Sequence, residues 1–137
     1  RRSALADLGG LGEISILGSG DHNLACALIG RVQESIHGNM QQSFKDYWNE
    51  VQDRATRSIK RNIGFLKGTL LHNFHGSKKY RGYNDRWKIL VEEKFDPLLD
   101  LKKDPQGVLT LTDRNTVLRD RVREYFGTRL DDDIRVD

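Results

Sequence analysis

Apolar side chains recur along this chain mostly at steps of three and four, a spacing that predicts a helix-rich protein. Residues 1–8 read as the end of a helix, with Ala4, Leu5 and Leu8 on one side. Gly9 and Gly10 close it, since glycine accepts the left-handed cap conformation. Residues 11–17 form a short loop or strand, and Gly18-Ser19-Gly20 a flexible turn. A helix over 21–35 then buries Leu24, Leu28 and Val32, flanked by Ala25 and Ile29. Ser19 can cap its first turn, and Asp21 favours the positive end of its dipole. The strongest periodicity covers 40–63, where Phe44, Trp48 (with Tyr47), Val51, Ala55 and Ile59 mark one face, and Gly64 stops it.

Beyond that point the pattern changes. Residues 65–74, with Thr69, Leu70, Leu71 and Phe74, predict a strand, and a polar turn follows at 76–79. A helix over 83–94 faces Trp87, Leu90 and Val91 inward until Asp96-Pro97 breaks it. Pro105-Gln106-Gly107 is a turn ahead of a short strand at 108–111. Asp113 caps a last helix, apolar at Val117, Leu118, Val122, Tyr125 and Phe126 and closed by Gly127, and the acidic tail frays. One or two strands make a poor self-sufficient sheet. The expected class is therefore helix-rich α/β, with the layout of the back half of an α/β domain.

Composition narrows this picture without identifying it. At 137 residues the chain has single-domain size and can bury a real core. A 36% hydrophobic and 31% charged content is that of a globular protein with a wet surface. No apolar run approaches the roughly 20 residues of a membrane helix, and no signal-peptide pattern opens the chain. With one cysteine, Cys26, no intramolecular disulfide can form, so the expected compartment is reducing and cytoplasmic. Cys26 itself reads as a buried small hydrophobe. The chain opens at Arg1 and its only methionine is Met40, so it is expected to be a piece of something longer or a processed product.

The net charge of +3 is unevenly spread. Arg54, Arg57, Lys60, Arg61, Lys67, Lys78, Lys79, Arg81, Arg86 and Lys88 face only Asp85 across the middle of the chain. Acids gather at Glu92, Glu93, Asp96, Asp100, Asp104 and the closing Asp131-Asp132-Asp133. A basic middle points to an anionic partner.

Two polar clusters carry the candidate chemistry. In the first, Gly18-Ser19-Gly20-Asp21-His22-Asn23, Asp21 is a carboxylate at a helix start that can accept a proton from a substrate hydroxyl. The flanking glycines leave bare backbone that a ligand can approach closely. In the second, His72-Asn73-Phe74-His75-Gly76, the two imidazoles can bind a divalent cation. Residues three apart on a regular strand point to opposite faces, so both reach one metal only if the strand ends or bulges there. Lys78, Lys79, Arg81 and Arg86 offer phosphate contacts, and Tyr80, Tyr83 and Trp87 could stack a ring. The Asp-x-Asp within Asp131-Asp132-Asp133 reads as a solvated chain end.

Taken in order, Gly9-Gly10-Leu11, Gly18-Ser19-Gly20-Asp21-His22-Asn23-Leu24 and Thr69-Leu70-Leu71-His72-Asn73-Phe74-His75-Gly76 resemble the acceptor-side half of a glycosyltransferase with the GT-A fold. With Arg1-Arg2, Arg81-x-Tyr83 and Arg86-Trp87 added, the layout resembles phage and bacterial family-2-like glycosyltransferases over about residues 1–110. The resemblance implies a C-terminal, acceptor- and metal-side half at 1–112, followed by a terminal helix and acidic tail at 113–137. It implies a nucleotide-sugar donor, an acceptor hydroxyl and Asp21 as base. Gly20 stands where many relatives carry glutamate, which puts the acceptor contacts of that glutamate in doubt. A divalent metal, Mn2+ or Mg2+, would be held by His75, the first choice, or His72. His22, Lys78, Arg81, Tyr83 and Arg86 would contact substrate, with Lys78, Arg81 and Arg86 on the loop over the diphosphate. The Asp-x-Asp metal motif and nucleotide-binding strands of such enzymes belong to a missing N-terminal half, so the fragment is expected to be inactive alone. The alternatives are a nucleic-acid-binding module using residues 54–88, and an interaction module with no chemistry of its own.

Overall fold

A computed structural model describes residues 2–65, 67–71 and 78–129, with backbone alone at 78 and 79. Helices α1 (Arg2–Leu8), α2 (Gly20–Leu28), α3 (Gln42–Ser58), α4 (Arg86–Glu92), α5 (Pro97–Asp100) and α6 (Thr116–Thr128) dominate it. Strands β1 (Leu101–Lys103) and β2 (Leu109–Leu111) form an antiparallel hairpin pairing Leu101 with Leu111 and Lys103 with Leu109. The described residues are thus helix-rich with a small two-stranded sheet. No helix among them is long and apolar enough to cross a membrane.

The core is built on α3. Phe44, Trp48, Val51 and Ala55 fall on one face at three- and four-residue steps, and all four are buried. This face packs on α1 and α2. Trp48 is 0% exposed, and truncating such a ring typically costs about 3–5 kcal/mol. The chain before α2 crosses directly over the indole at Gly12, where φ is 80° and a Cβ would stand 2.2 Å from the ring. Asn23, buried on α2, turns its amide to accept from Trp48 Nε1 (3.2 Å) and donate to the Ser35 carbonyl (3.1 Å). The indole N–H is thereby satisfied inside the core. From α6, Leu118, Val122 and Tyr125 join the same core.

Several boundaries differ from the sequence expectation. The helix starting near Asp21 ends at Leu28, not Ser35, and Gly30 at φ 77° turns the chain. Its buried face is Asn23 and Ala27; Leu24 and Leu28 are half-buried, and Ala25 and Ile29 are exposed. Val32 is buried, but in a 3-10 turn (Val32–Glu34) that mimics the next helical step. α3 stops at Ser58 because Lys60 and Arg61 adopt left-handed φ of 53° and 57°, ending the helix before the expected Gly64. Of the strand expected at 65–74, the described residues 65 and 67–71 form none. Leu70 and Leu71 are each 88% exposed there, so no strand or core among the described residues receives them.

The helix expected over 83–94 runs only over Arg86–Glu92 and is ended by Lys94 at a left-handed φ of 51°, ahead of Asp96-Pro97, which instead starts α5. Asp96 Oδ1 accepts from Leu98 N (2.9 Å), with Pro97 in the first turn. Asp100, 1% exposed, accepts from Asp96 N and from Arg114 Nε and Nη2, each at 2.8 Å. That two-pronged pair ties α5 and its hairpin to the segment entering α6. Asn115, not Asp113, caps α6, accepting from Leu118 N at 2.9 Å, while Asp113 pairs with Arg119. Gly127 lies within α6.

Gly12→Ala combines a positive-φ penalty with a clash against Trp48, so it should destabilise the fold by about 2–4 kcal/mol. Gly10→Ala, at φ 104° with nothing near its Cβ, should lose only the backbone part, about 1–2 kcal/mol. Urea unfolding of the two variants measures the difference.

Candidate functional site

The turn before α2 and the loop before α4, nearly seventy residues apart in sequence, meet across one cleft. Its volume is about 430 Å³, and it lies between Gly18-Ser19, the 34–40 loop and the Arg86-Trp87 start of α4. That size suits a small molecule. Gly18 has φ 98°, and a Cβ there would stand 2.7 Å from Arg86 Cζ, so only glycine lets the guanidinium lie against this turn. Ser19 also sits in the left-handed region, at φ 68°. It occupies the N-cap position of α2 but makes no side-chain cap bond; its Oγ instead accepts from Arg86 Nη2 at 3.4 Å.

Arg86 belongs to a connected chain of groups. Its guanidinium lies over the Tyr83 ring, 4.8 Å from the centroid, a cation–π arrangement. The Tyr83 hydroxyl accepts from Arg81 Nη1 at 3.1 Å, and the Arg81 carbonyl accepts from Tyr125 on α6 at 3.0 Å. Three of the residues expected to contact substrate, Arg81, Tyr83 and Arg86, are therefore contiguous. Arg81 is buried, so it builds the loop, whereas Arg86 turns toward the cleft.

Asp21 stands exposed on the first turn of α2, as the spacing predicts, and His22 follows it, also exposed. Neither lines the cleft, which reaches the adjacent Ser19. His72 and His75 lie outside the described residues, as does the Lys78 side chain. The geometry of the expected metal ligands is thus not on view. No group of three His, Cys, Asp or Glu side chains gathers as a metal set among the described residues.

Two features of the cleft were not singled out from the sequence. His37 stacks on Trp87 with centroids 3.8 Å apart and planes 21° from parallel, and its Nδ1 accepts from Asn39 N at 3.2 Å. His37-Gly38-Asn39 reads only as a helix break in one dimension. Glu34 reaches the rim, but both its oxygens accept from Arg31, at 2.6 and 2.5 Å. An Arg three residues before a Glu at a helix break is a legible pairing signal.

The Arg31 hydrogen bonds hold the Glu34 carboxyl below the ordinary glutamate range. A lowered folded value stabilises the native state above the unfolded value, and the gain is lost as pH falls through the folded one. Arg31→Gln should raise the Glu34 titration midpoint toward that of an unpaired glutamate, as read by carboxyl-carbon NMR. An unmoved midpoint would show that the pair does not form in solution. Compared with family models, curated proteins and solved structures, the chain matches none of them.

Proposed function

We propose that this chain is the acceptor-side part of a GT-A glycosyltransferase, moving a sugar from a nucleotide-sugar donor to an acceptor hydroxyl. The observation that supports it is the approach of Arg86 to the first polar cluster: Arg86 Nη2 lies 3.4 Å from Ser19 Oγ, two residues before Asp21. A base and a phosphate-binding cation thus sit beside one cleft.

In this reading Asp21 takes the proton of the acceptor hydroxyl as its oxygen bonds to the anomeric carbon. The bond from that carbon to the leaving diphosphate breaks, and the diphosphate departs with the electron pair. Exposure of Asp21 on a first helical turn leaves it reachable by an acceptor. Arg86 neutralises charge on the leaving group as a preplaced donor, and Lys78 would add a second positive charge. A divalent metal held by His75 or His72 and by ligands of an upstream half would add Lewis-acid neutralisation of the same diphosphate.

Asp21→Asn in the intact enzyme should lower turnover by about 10²–10⁴-fold, with nucleotide-sugar affinity unchanged. Full activity in that variant would remove Asp21 from the role.

One observation favours the second reading, a nucleic-acid-binding module. Arg57, Lys60, Arg61 and Lys67 are exposed along one stretch, with Phe65 83% exposed among them. Binding of single-stranded DNA with an affinity that falls steeply as salt rises would favour this module. A response to a nucleoside diphosphate that needs a divalent metal would favour the transferase.

A further inference from the structure

Below its polar rim, the cleft beside Arg86 has an apolar floor: Leu17, Met40, Phe44 and Leu90 are all buried side chains without a hydrogen-bonding group. One wall is the His37–Trp87 stack, held in orientation by the Asn39 N–H on His37 Nδ1. The charges at the rim are unequal. Glu34 is committed to Arg31 through both oxygens. Arg86, half-buried, has no carboxylate within ion-pair distance among the described residues; its contacts are the Ser19 hydroxyl and the Tyr83 ring. A partly buried guanidinium without a counter-charge is an anion site, and its planar fork suits phosphate.

We propose that this cleft binds a small amphipathic phosphate: an apolar planar ring on the Leu17–Met40–Phe44–Leu90 floor, with its phosphate on Arg86 and the Ser19 hydroxyl. A nucleobase fits this cleft poorly, because the polar side chains beside the floor, Asn23 and Ser35, are already bonded within the protein, Asn23 to Trp48 and the Ser35 carbonyl and Ser35 to the Val32 carbonyl. This binding does not rest on the transferase reading, in which Arg86 meets the donor's diphosphate instead. The floor is apolar and the cation stands at the rim, so neither half of the ligand alone should bind well.

The test is a titration of the 15N-labelled chain with phenyl phosphate, phenol, inorganic phosphate and uridine diphosphate, followed through amide and indole NMR signals. Phenyl phosphate should shift the Ser19 and Gly38 amides and the Trp87 indole, with phenol and phosphate each at least about tenfold weaker. Arg86→Gln should weaken phenyl phosphate by about tenfold and leave phenol unchanged. Ser19→Gly, which suits the left-handed backbone, keeps the fold and should weaken phenyl phosphate a few-fold. Absence of these shifts, equal affinity in Arg86→Gln, or tighter cleft binding of uridine diphosphate would overturn the assignment. Because no turnover is read, cleft binding together with a fully active Asp21→Asn enzyme would sustain this inference and remove Asp21 from its role as base. The converse pair of results would do the opposite.

Discussion

The indole of Trp48 is the contact on which the rest of this structure depends. It is the largest fully buried side chain among the described residues, and two of its neighbours are the backbone at Gly12 and the amide of Asn23. Gly12 lets the chain pass over the ring face, and Asn23 fixes the first turn of α2 against the ring edge. Between those two contacts the chain has only ten residues in which to turn. Gly18 and Ser19 lie in that span, so their left-handed conformations are imposed by what holds either side. An apolar ring of the same shape would pack there but would leave Asn23 without its donor in the core. The buried hydrogen bond thus specifies where the turn sits, and burial supplies most of the stability.

The opposite wall of the cleft is anchored from α6. Arg121 donates to Glu93 at 2.6 Å and to Glu92 at 2.7 Å, which holds the last turn of α4. Tyr125 holds the Arg81 carbonyl and so the loop that leads into the first turn. With both ends of α4 tied to one helix, Arg86 has little freedom to swing. Surface ion pairs such as Arg121–Glu92 contribute little stability by themselves. Their effect here is positional, because they are attached to an element whose other end carries a cation facing the cleft.

How far the sequence could be read varied with the physics of each segment. The α3 stripe was legible because its apolar face is continuous and its polar face uninterrupted. Its end was not, since Lys60 and Arg61 take up left-handed backbone that nothing in residue type announces. Val32 continued the α2 rhythm by position alone, although Gly30 had already turned the chain. Leu70 and Leu71 look like a strand in composition, yet exposure rather than pairing is their state. Asp100 reads as one acid among many until folding places it in line with Arg114. For the site, the expected convergence was of the Asp21 turn with His75, which lies outside the described residues; Arg86 meets that turn through Ser19. The contributions of His37 and of the Asn23–Trp48 bond depend on contacts across 50 and 25 residues of chain, which no local pattern encodes. The histidine pair expected to hold a metal falls outside the described residues.

The turn ahead of α2 is pressed against the guanidinium that opens α4, making one cleft of two segments distant in sequence. Nuclear Overhauser contacts between the Gly18 α-protons and the Arg86 side chain test it most directly. The geometry requires strong contacts, because a Cβ on Gly18 would stand 2.7 Å from Arg86 Cζ. A folded protein whose Trp48 indole is protected but whose Gly18 and Arg86 share no such contact would contradict it.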